Sequence, residues 1–310
     1  MLTATQKKTA EAIVNIFETG EVLGHYGQVT LIEGDTGHLT YGRSQTTLSS
    51  GNLAQLMLMY CGNAGAVFGP LLAPAVPRFV ARDLTLDGDG KIKNLLRAAA
   101  DDPVMRDTQD AFFDAVYWAK AARAAAADGI VSPLGVAVVY DSFVHGSWAP
   151  IRRRAIAQAG SVAAAGEKDW ISTYIAVRRQ WLANSRPDLR PTVYRMDTFR
   201  RLIDQDHWSL ELPLVVRGRE ISTMTLAAEP PGTYSGPLPG SRQLMLQTPI
   251  QQGLDVRRVQ LGLSQAGLEI LADGMWGRVS TRVLQTWQAQ KGLPATGVAD
   301  PSLVMMLAAL

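Results

Sequence analysis

The chain has 310 residues, 47% of them hydrophobic, and a formal net charge of +2. That length and apolar content suit two unequal domains with a proper core, and the small, scattered positive excess argues against a nucleic-acid surface. The single Cys61 excludes an internal disulfide framework; its setting, "LAQLMLMYCG", points to a buried thiol. No apolar run reaches the roughly 18 residues needed to span a membrane.

Residues 3–18 read as an amphipathic helix with Ala10, Ile13, Val14 and Phe17 on one face. Thr3 and Gln6 have capping-box spacing, and Gly20 is placed to stop the helix. The start, "MLTATQKKTAEAIV", lacks the uninterrupted apolar core of a secretory signal. Residues 20–47 are rich in Gly and Thr, and "QVTLIE" and "HLTYG" suit short strands. Helical patterns dominate from Leu53, through "NLAQLMLMY" and "TQDAFFDAVYWAKAARAAAADG" with its glycine stop. Ser132-Pro133 reads as an N-cap and first-turn proline. It opens "LGVAVVYDSFVHG", apolar on nearly every side and therefore a central buried helix. Helices over Lys168–Asn184 and Thr198–Asp204 close the body.

Composition shifts at about residue 226. "AAEPPGTYSGPLPGSRQ" is rich in Pro and Gly without apolar periodicity, as a linker is. Three short helices fit the C-terminal stretch: Val256, Val259 and Leu263 on one face, Val283, Leu284 and Trp287 on another, and Asp300-Pro301 capping the third. The expected fold is mainly α, of the α+β kind with a small β patch near the N-terminus, plus a small three-helix C-terminal domain. The expected boundaries are 1–225, a linker over 226–247, and 248–310.

Two carboxylates differ in setting. Glu18 ends the first apolar helix, where half-burial favours the protonated form. Asp35 lies in "EGDTGH", a turn whose N–H groups and water keep a carboxylate ionised. One protonated acid and one ionised base are what glycosidic cleavage needs. A gap of about 5 Å goes with retention and about 6.5–9.5 Å with inversion, and a helix end plus a separate turn favours the wider one. A solvated helix-end Glu and an ordinary turn Asp would give the same spacing. No metal or cofactor is expected: the four His are dispersed, and "DGDGKIKNLL" has Ile92 where a calcium loop needs glycine.

The surroundings of these carboxylates resemble the family-46 chitosanases of the lysozyme superfamily. "IFETG" stands at the helix end and "GDTGHLTYG" at the turn. "QDAFFDAVYWAKA", "VVYDSFVHG" and "VYRMDTFRRLI" are similar to the family's middle and closing helices, in the right order to about residue 205. The resemblance implies a lysozyme-like catalytic domain with Glu18 as general acid, Asp35 as general base and Thr40 helping to hold the attacking water. It also implies a buried Asp141 supported by Arg178 and Arg201, since an unpaired buried carboxylate is costly. Substrate contacts are expected at Tyr41, Gln45, Asn52 and His145, with a hydrogen-bonded structural role as the alternative for His145. Gln45 is similar to the Gln of the "G-x-x-Q" stretch in lytic transglycosylases. Two departures bear on substrate. Gly37 and Leu39 stand where the family has Arg and Tyr. Asn52 stands where it has an Asp that binds the glucosamine ammonium; an amide cannot neutralise that charge, although it can bond an acetamido group.

"DVRRVQLGL", "DGMWGRVST", "WQAQKGL" and "TGVAD" resemble the three-helix peptidoglycan-binding domain over residues 253–308. The resemblance implies wall contacts at Asp273, Gly274, Trp276 and Gly277; a core aromatic is the alternative for Trp276 and the reading for Trp287, and Gly274 and Gly277 are turn residues first. A wall-binding module on a flexible linker raises the enzyme's local concentration at its polymer. The expectation is therefore an endo-acting, inverting hydrolase of the β-1,4 bond after N-acetylmuramic acid in peptidoglycan. The alternatives are a chitosanase acting on partly N-acetylated chitosan, and a non-catalytic wall-binding protein. The expected partner is a polysaccharide, without nucleic acid or membrane. Synthesis in the cytoplasm and action in the periplasm or cell wall imply phage-type or type VI-type delivery, with an immunity protein as a further partner.

Overall fold

A computed structural model describes residues 2–32, 34–43, 45–184, 187 and 189–309. The longer elements, in chain order, are α1 (Ala4–Thr19), strands β1 (Val29–Thr30), β2 (Thr40–Tyr41) and β3 (Thr46–Thr47), then α2 (Asn52–Cys61), α3 (Gly90–Ala99), α4 (Pro103–Phe113), α5 (Ala119–Asp128), α6 (Pro133–Val144), α7 (Trp148–Ala159), α8 (Glu167–Ala183) and α9 (Tyr194–Asp204). A hairpin of β4 (Leu214–Val216) and β5 (Arg219–Ile221) comes next, and α10 (Leu254–Gln265), α11 (Arg278–Gln290) and α12 (Pro301–Ala308) end the chain. The fold is mainly helical with a small β patch.

Local chemistry sets the helix ends. The Thr3 side chain accepts from the Gln6 N–H at 3.2 Å, and the Gln6 side chain accepts from the Thr3 N–H at 2.9 Å. Gly20 closes α1 at φ 79, a left-handed conformation that costs glycine little. Ser132 caps α6, with Pro133 in its first turn. Cys61, expected to be buried, is only partly so.

The chain forms two compact units. The first comprises Met1–Gly24 and Phe113–Ala228. Its centre is α6, buried from Leu134 to Ser142, with α1, α5 and α8 packed around it. An all-round apolar helix can be stable only in such a place.

The second unit comprises His25–Phe112 and Glu229–Leu310. Its sheet is antiparallel in the order β1-β2-β3, with Val29 opposite Tyr41 and Thr40 opposite Thr47. The three C-terminal helices close on Val256, Val259, Leu263, Trp276, Leu284 and Trp287. Gly262 allows α10 to meet α12: a Cβ there would stand 1.9 Å from the Leu307 carbonyl oxygen.

These helices do not hang from a free tether. Helix α10 packs on α3 within the same unit. The Asn94 amide donates to Ser264 Oγ at 3.0 Å and to the Ile270 carbonyl at 2.7 Å, and its oxygen accepts from the Ala272 N–H at 3.0 Å. Asp101 and Arg257, both almost fully buried, pair at 2.7 Å. The Pro- and Gly-rich segment is itself held: the Tyr234 N–H donates to Asp101 at 2.8 Å, the Leu254 N–H donates to the Gly236 carbonyl, and Leu244 bridges to Ala299. Such bonds use single backbone groups, so they leave no periodic pattern in the sequence.

Candidate active site

Glu18 lies in the last turn of α1, in the first unit. The Tyr194 hydroxyl donates to the Phe17 carbonyl at 2.6 Å and pins that turn. Half-burial in apolar surroundings is not what Glu18 has. Its side chain is 45% exposed, and Arg195 Nη2 donates to its Oε1 at 2.6 Å. The nearly buried Arg195 also pairs with Asp141 at 2.6 Å. Arg178 Nη1 donates to the other Asp141 oxygen at 2.5 Å and to Ser142 Oγ at 3.0 Å. Burial alone would push the Asp141 carboxyl up; the Arg178 and Arg195 guanidinium groups outweigh it and hold the carboxyl below its ordinary value. A wholly buried charge is thus doubly compensated, and it fixes the arginine that holds Glu18.

Arg201 does not support Asp141. It is exposed on α9, and Arg195 takes the expected place. The two positions are six residues apart, about 240° around a helix, so only one can face inward. The helix begins at Tyr194, four residues before the expected Thr198, and Arg195, Phe199 and Leu202 share its buried face. His145 has a partly buried ring, and its buried Nδ1 has no hydrogen-bond partner among the described residues. Burial, then the charges of Arg195 and Arg178, push it down to about 4, so it is neutral at neutral pH.

Asp35 belongs to the second unit. It is exposed, and no side chain pairs with it among the described residues. The strand after its turn is anchored by Asp87, a residue with no signal in the local sequence pattern: Asp87 accepts from the Leu39 N–H at 2.8 Å and pairs with His38 Nδ1 at 2.8 Å. Asp83 and Asp89 of the same acidic run are both paired with Arg78. Thr40 is buried in β2 and donates to the His38 carbonyl at 3.0 Å, leaving its oxygen free to accept. Tyr41, expected to meet substrate, is wholly buried in this unit, because its position on β2 points it inward. Gln109 braces the next turn, accepting from the Arg43 N–H at 3.0 Å and donating to the Tyr26 carbonyl at 2.9 Å. Gln45 is exposed and bonds back to the Gly42 carbonyl at 2.8 Å. Asn52 opens α2 and is partly exposed. Arg82 has no partner among the described residues, and its Nη2 lies 3.1 Å from where a Cβ on Gly51 would stand.

The expected wall-binding turn is largely closed. Trp276 is a core residue at 0% exposure. Gly274 is buried against the Tyr234 ring, whose Cε2 lies 2.2 Å from the position of a Cβ. Asp273 Oδ1 accepts from Gln260 and from the Met275 N–H, both at 2.8 Å. Only Gly277 is open.

The family model described as "Glycosyl hydrolase family 46" matches residues 12–214, and "Putative peptidoglycan binding domain" matches residues 252–307. A chitosanase of Bacillus subtilis (strain 168) is 28% identical over 244 residues, covering 73% of this chain and 86% of its own. A mutant chitosanase from Bacillus subtilis MY002, solved in complex with 6 GlcN, is 25% identical with a TM-score of 0.58, covering 70% of this chain and 96% of that one. A chitosanase from Gynuella sunshinyii in complex with chitotetraose shares the fold at 23% identity and a TM-score of 0.58, covering 72% and 99%. These relatives favour the chitosanase alternative over the muramidase expected from the sequence. The chain belongs to glycosyl hydrolase family 46 and is a glycoside hydrolase with a C-terminal peptidoglycan-binding domain.

Proposed function

We propose that the protein is an endo-acting, inverting hydrolase of β-1,4 bonds in a glucosamine polymer of the chitosan class. Glu18 gives its proton to the leaving glycosidic oxygen. Asp35 takes a proton from water, whose oxygen bonds to the anomeric carbon as the glycosidic bond breaks. Thr40 offers that water an acceptor. The observation that carries the substrate is the likeness to chitosanases along the catalytic body. Placement, not protonation, supports the roles: Glu18 is oriented through Arg195 by buried Asp141, and Asp35 stands exposed ahead of a strand anchored by Asp87.

A second reading, cleavage of the peptidoglycan glycan after N-acetylmuramic acid, is favoured by the C-terminal match and by the corner at Asn52. There a neutral amide and the unpaired Arg82 supply no anion for an ammonium group. Either polymer puts the site of action outside the cytoplasm. Chitosan and purified sacculi, incubated separately with the protein, decide between them by mass spectrometry. Soluble glucosamine oligomers support the first reading; muropeptides with no chitosan products overturn it in favour of the second.

A further inference from the structure

The turn that carries Asp35 enters β2 through a residue in an uncommon conformation. His38 has φ 59, the left-handed region that a residue with a Cβ occupies at a cost. Contacts from a distant acidic run hold it there. His38 Nδ1 pairs with Asp87 Oδ2 at 2.8 Å, and the Leu39 N–H donates to Asp87 Oδ1 at 2.8 Å, so one carboxylate grips the strained residue from both sides. Asp87 is fixed in turn: its carbonyl accepts from Lys93 Nζ at 2.8 Å, next along α3 to the Asn94 that bonds to Ser264 of α10. The Leu39 side chain is fully buried, and its carbonyl accepts from the Leu48 N–H at 2.8 Å. The proposed base and the proposed water holder both lean on this turn. A Cβ on Gly37 would stand 2.9 Å from Asp35 Oδ2. The His38 carbonyl accepts from the Thr40 hydroxyl at 3.0 Å.

We propose that Asp87 is a positioning residue for hydrolysis: by holding His38 left-handed, it aims the Thr40 oxygen at the attacking water. Backbone strain persists where the surrounding structure over-determines it, and at an active site its geometry is part of the mechanism. With its proton committed to the His38 carbonyl, the Thr40 hydroxyl can only accept. The water then donates one proton toward Thr40 and the other toward Asp35, which leaves a lone pair for the anomeric carbon. Released from Asp87, His38 relaxes to negative φ and its carbonyl turns. The Thr40 hydroxyl is then free to donate to the water and to turn that lone pair away. Asp87 acts through His38 and Leu39, so its effect falls on kcat and not on KM. The inference rests on the reading of Asp35 as base and Thr40 as water holder.

The test is steady-state kinetics of the full chain on soluble glucosamine oligomers, replaced by soluble peptidoglycan glycan fragments if only those are cut. Melting curves show which variants fold. Asp87→Ala should lose at least about tenfold in kcat, as a small misplacement of a reacting group does, with KM within about twofold of the parent. Asp87→Asn keeps an acceptor for the Leu39 N–H and a donor for the His38 ring, and should return at least about threefold of that loss. A second pair of variants leaves Asp87 in place. His38→Gly should turn over at least about threefold faster than His38→Ala, since glycine takes φ 59 freely and alanine does not. If Asp87→Ala does not fold, this pair decides. The proposal is overturned by a folded Asp87→Ala with kcat within about twofold of the parent, by Asp87→Asn as slow as Asp87→Ala, or by His38→Gly no faster than His38→Ala. An Asp35→Asn variant at the parental rate overturns the reading beneath it. Asp35→Asn inactive beside Asp87→Ala at full rate overturns the positioning role alone.

Discussion

Replacing Arg257 with Met tests whether the C-terminal module is a working part of the second unit. Arg257 is 5% and Asp101 2% exposed in their side chains. Arg257 donates to Asp101 at 2.7 Å and to the carbonyls of Gly232 and Asp273 at 3.0 and 3.2 Å. Methionine keeps the stem's volume and leaves the Asp101 carboxylate, among the described residues, with the Tyr234 N–H as its hydrogen-bond donor and the more distant charges of Arg258 and Arg106. Removing one partner of a buried ion pair costs about 3–5 kcal/mol, a large share of the roughly 5–15 kcal/mol that holds a domain together. The cost must depend on pH. Burial pushes the Asp101 carboxyl up from 3.8 to about 6, against the pull of Arg257. A carboxyl raised by folding contributes stability that is present below about 3.8 and lost as pH rises through 6. Without Arg257 the carboxyl rises further, so the variant falls further behind wild type as pH increases. Urea unfolding at pH 4 and pH 8 measures this, with hydrogen exchange to locate the loss. We expect a clearly larger deficit at pH 8, recovery when Asp101→Asn is added, and joint loss of protection in α3 and α10. Equal deficits at both pH values, or loosening of α10 with α3 unaffected, would refute the reasoning.

Glu18→Gln and Asp35→Asn should each fold normally and lose about 10²–10⁴-fold in hydrolysis rate; a variant retaining a tenth of the wild-type rate would remove that residue from the mechanism. Gly262→Ala should destabilise the fold through loss of the α10–α12 contact, by at least the roughly 1–3 kcal/mol of an overpacked core, seen as a lower melting temperature, and an unchanged melt would contradict the close approach at Leu307. His145 lies below its ordinary value at about 4. Its neutral form is the one the fold accepts, so its contribution is present above about 6.5 and lost as pH falls toward 4. His145→Asn should flatten that part of the stability profile, and an identical profile would show that the histidine does not titrate with folding.

Features set by adjacent residues were legible in the sequence. Thr3 with Gln6, Gly20, Ser132-Pro133 and Asp300-Pro301 act through neighbours within four positions, and all cap or stop helices as their spacing implies. Asp141 is placed by the family resemblance, and the cost of an unpaired charge in an all-apolar helix agrees with it. Its second partner is Arg195 and not Arg201; both lie in "VYRMDTFRRLI", and which of the two faces inward is set by packing that the motif does not record. Asp87, Gln109 and Tyr234 escaped altogether. Each acts on a residue tens of positions away, through one or two polar atoms, and local pattern carries no record of that. Motif position alone made Tyr41 and Trp276 surface residues, while packing put both in a core.

The central claim is a single displacement with Glu18 as acid and Asp35 as base. Proton NMR of the new reducing ends, recorded during the first minutes of polymer cleavage, tests it most directly. An α-anomer that appears first and then equilibrates is the result expected of an activated water attacking opposite the leaving group. A β-anomer appearing first would make a carboxylate the nucleophile, and 1,6-anhydro products would leave no role for a water-activating base; either would contradict the account.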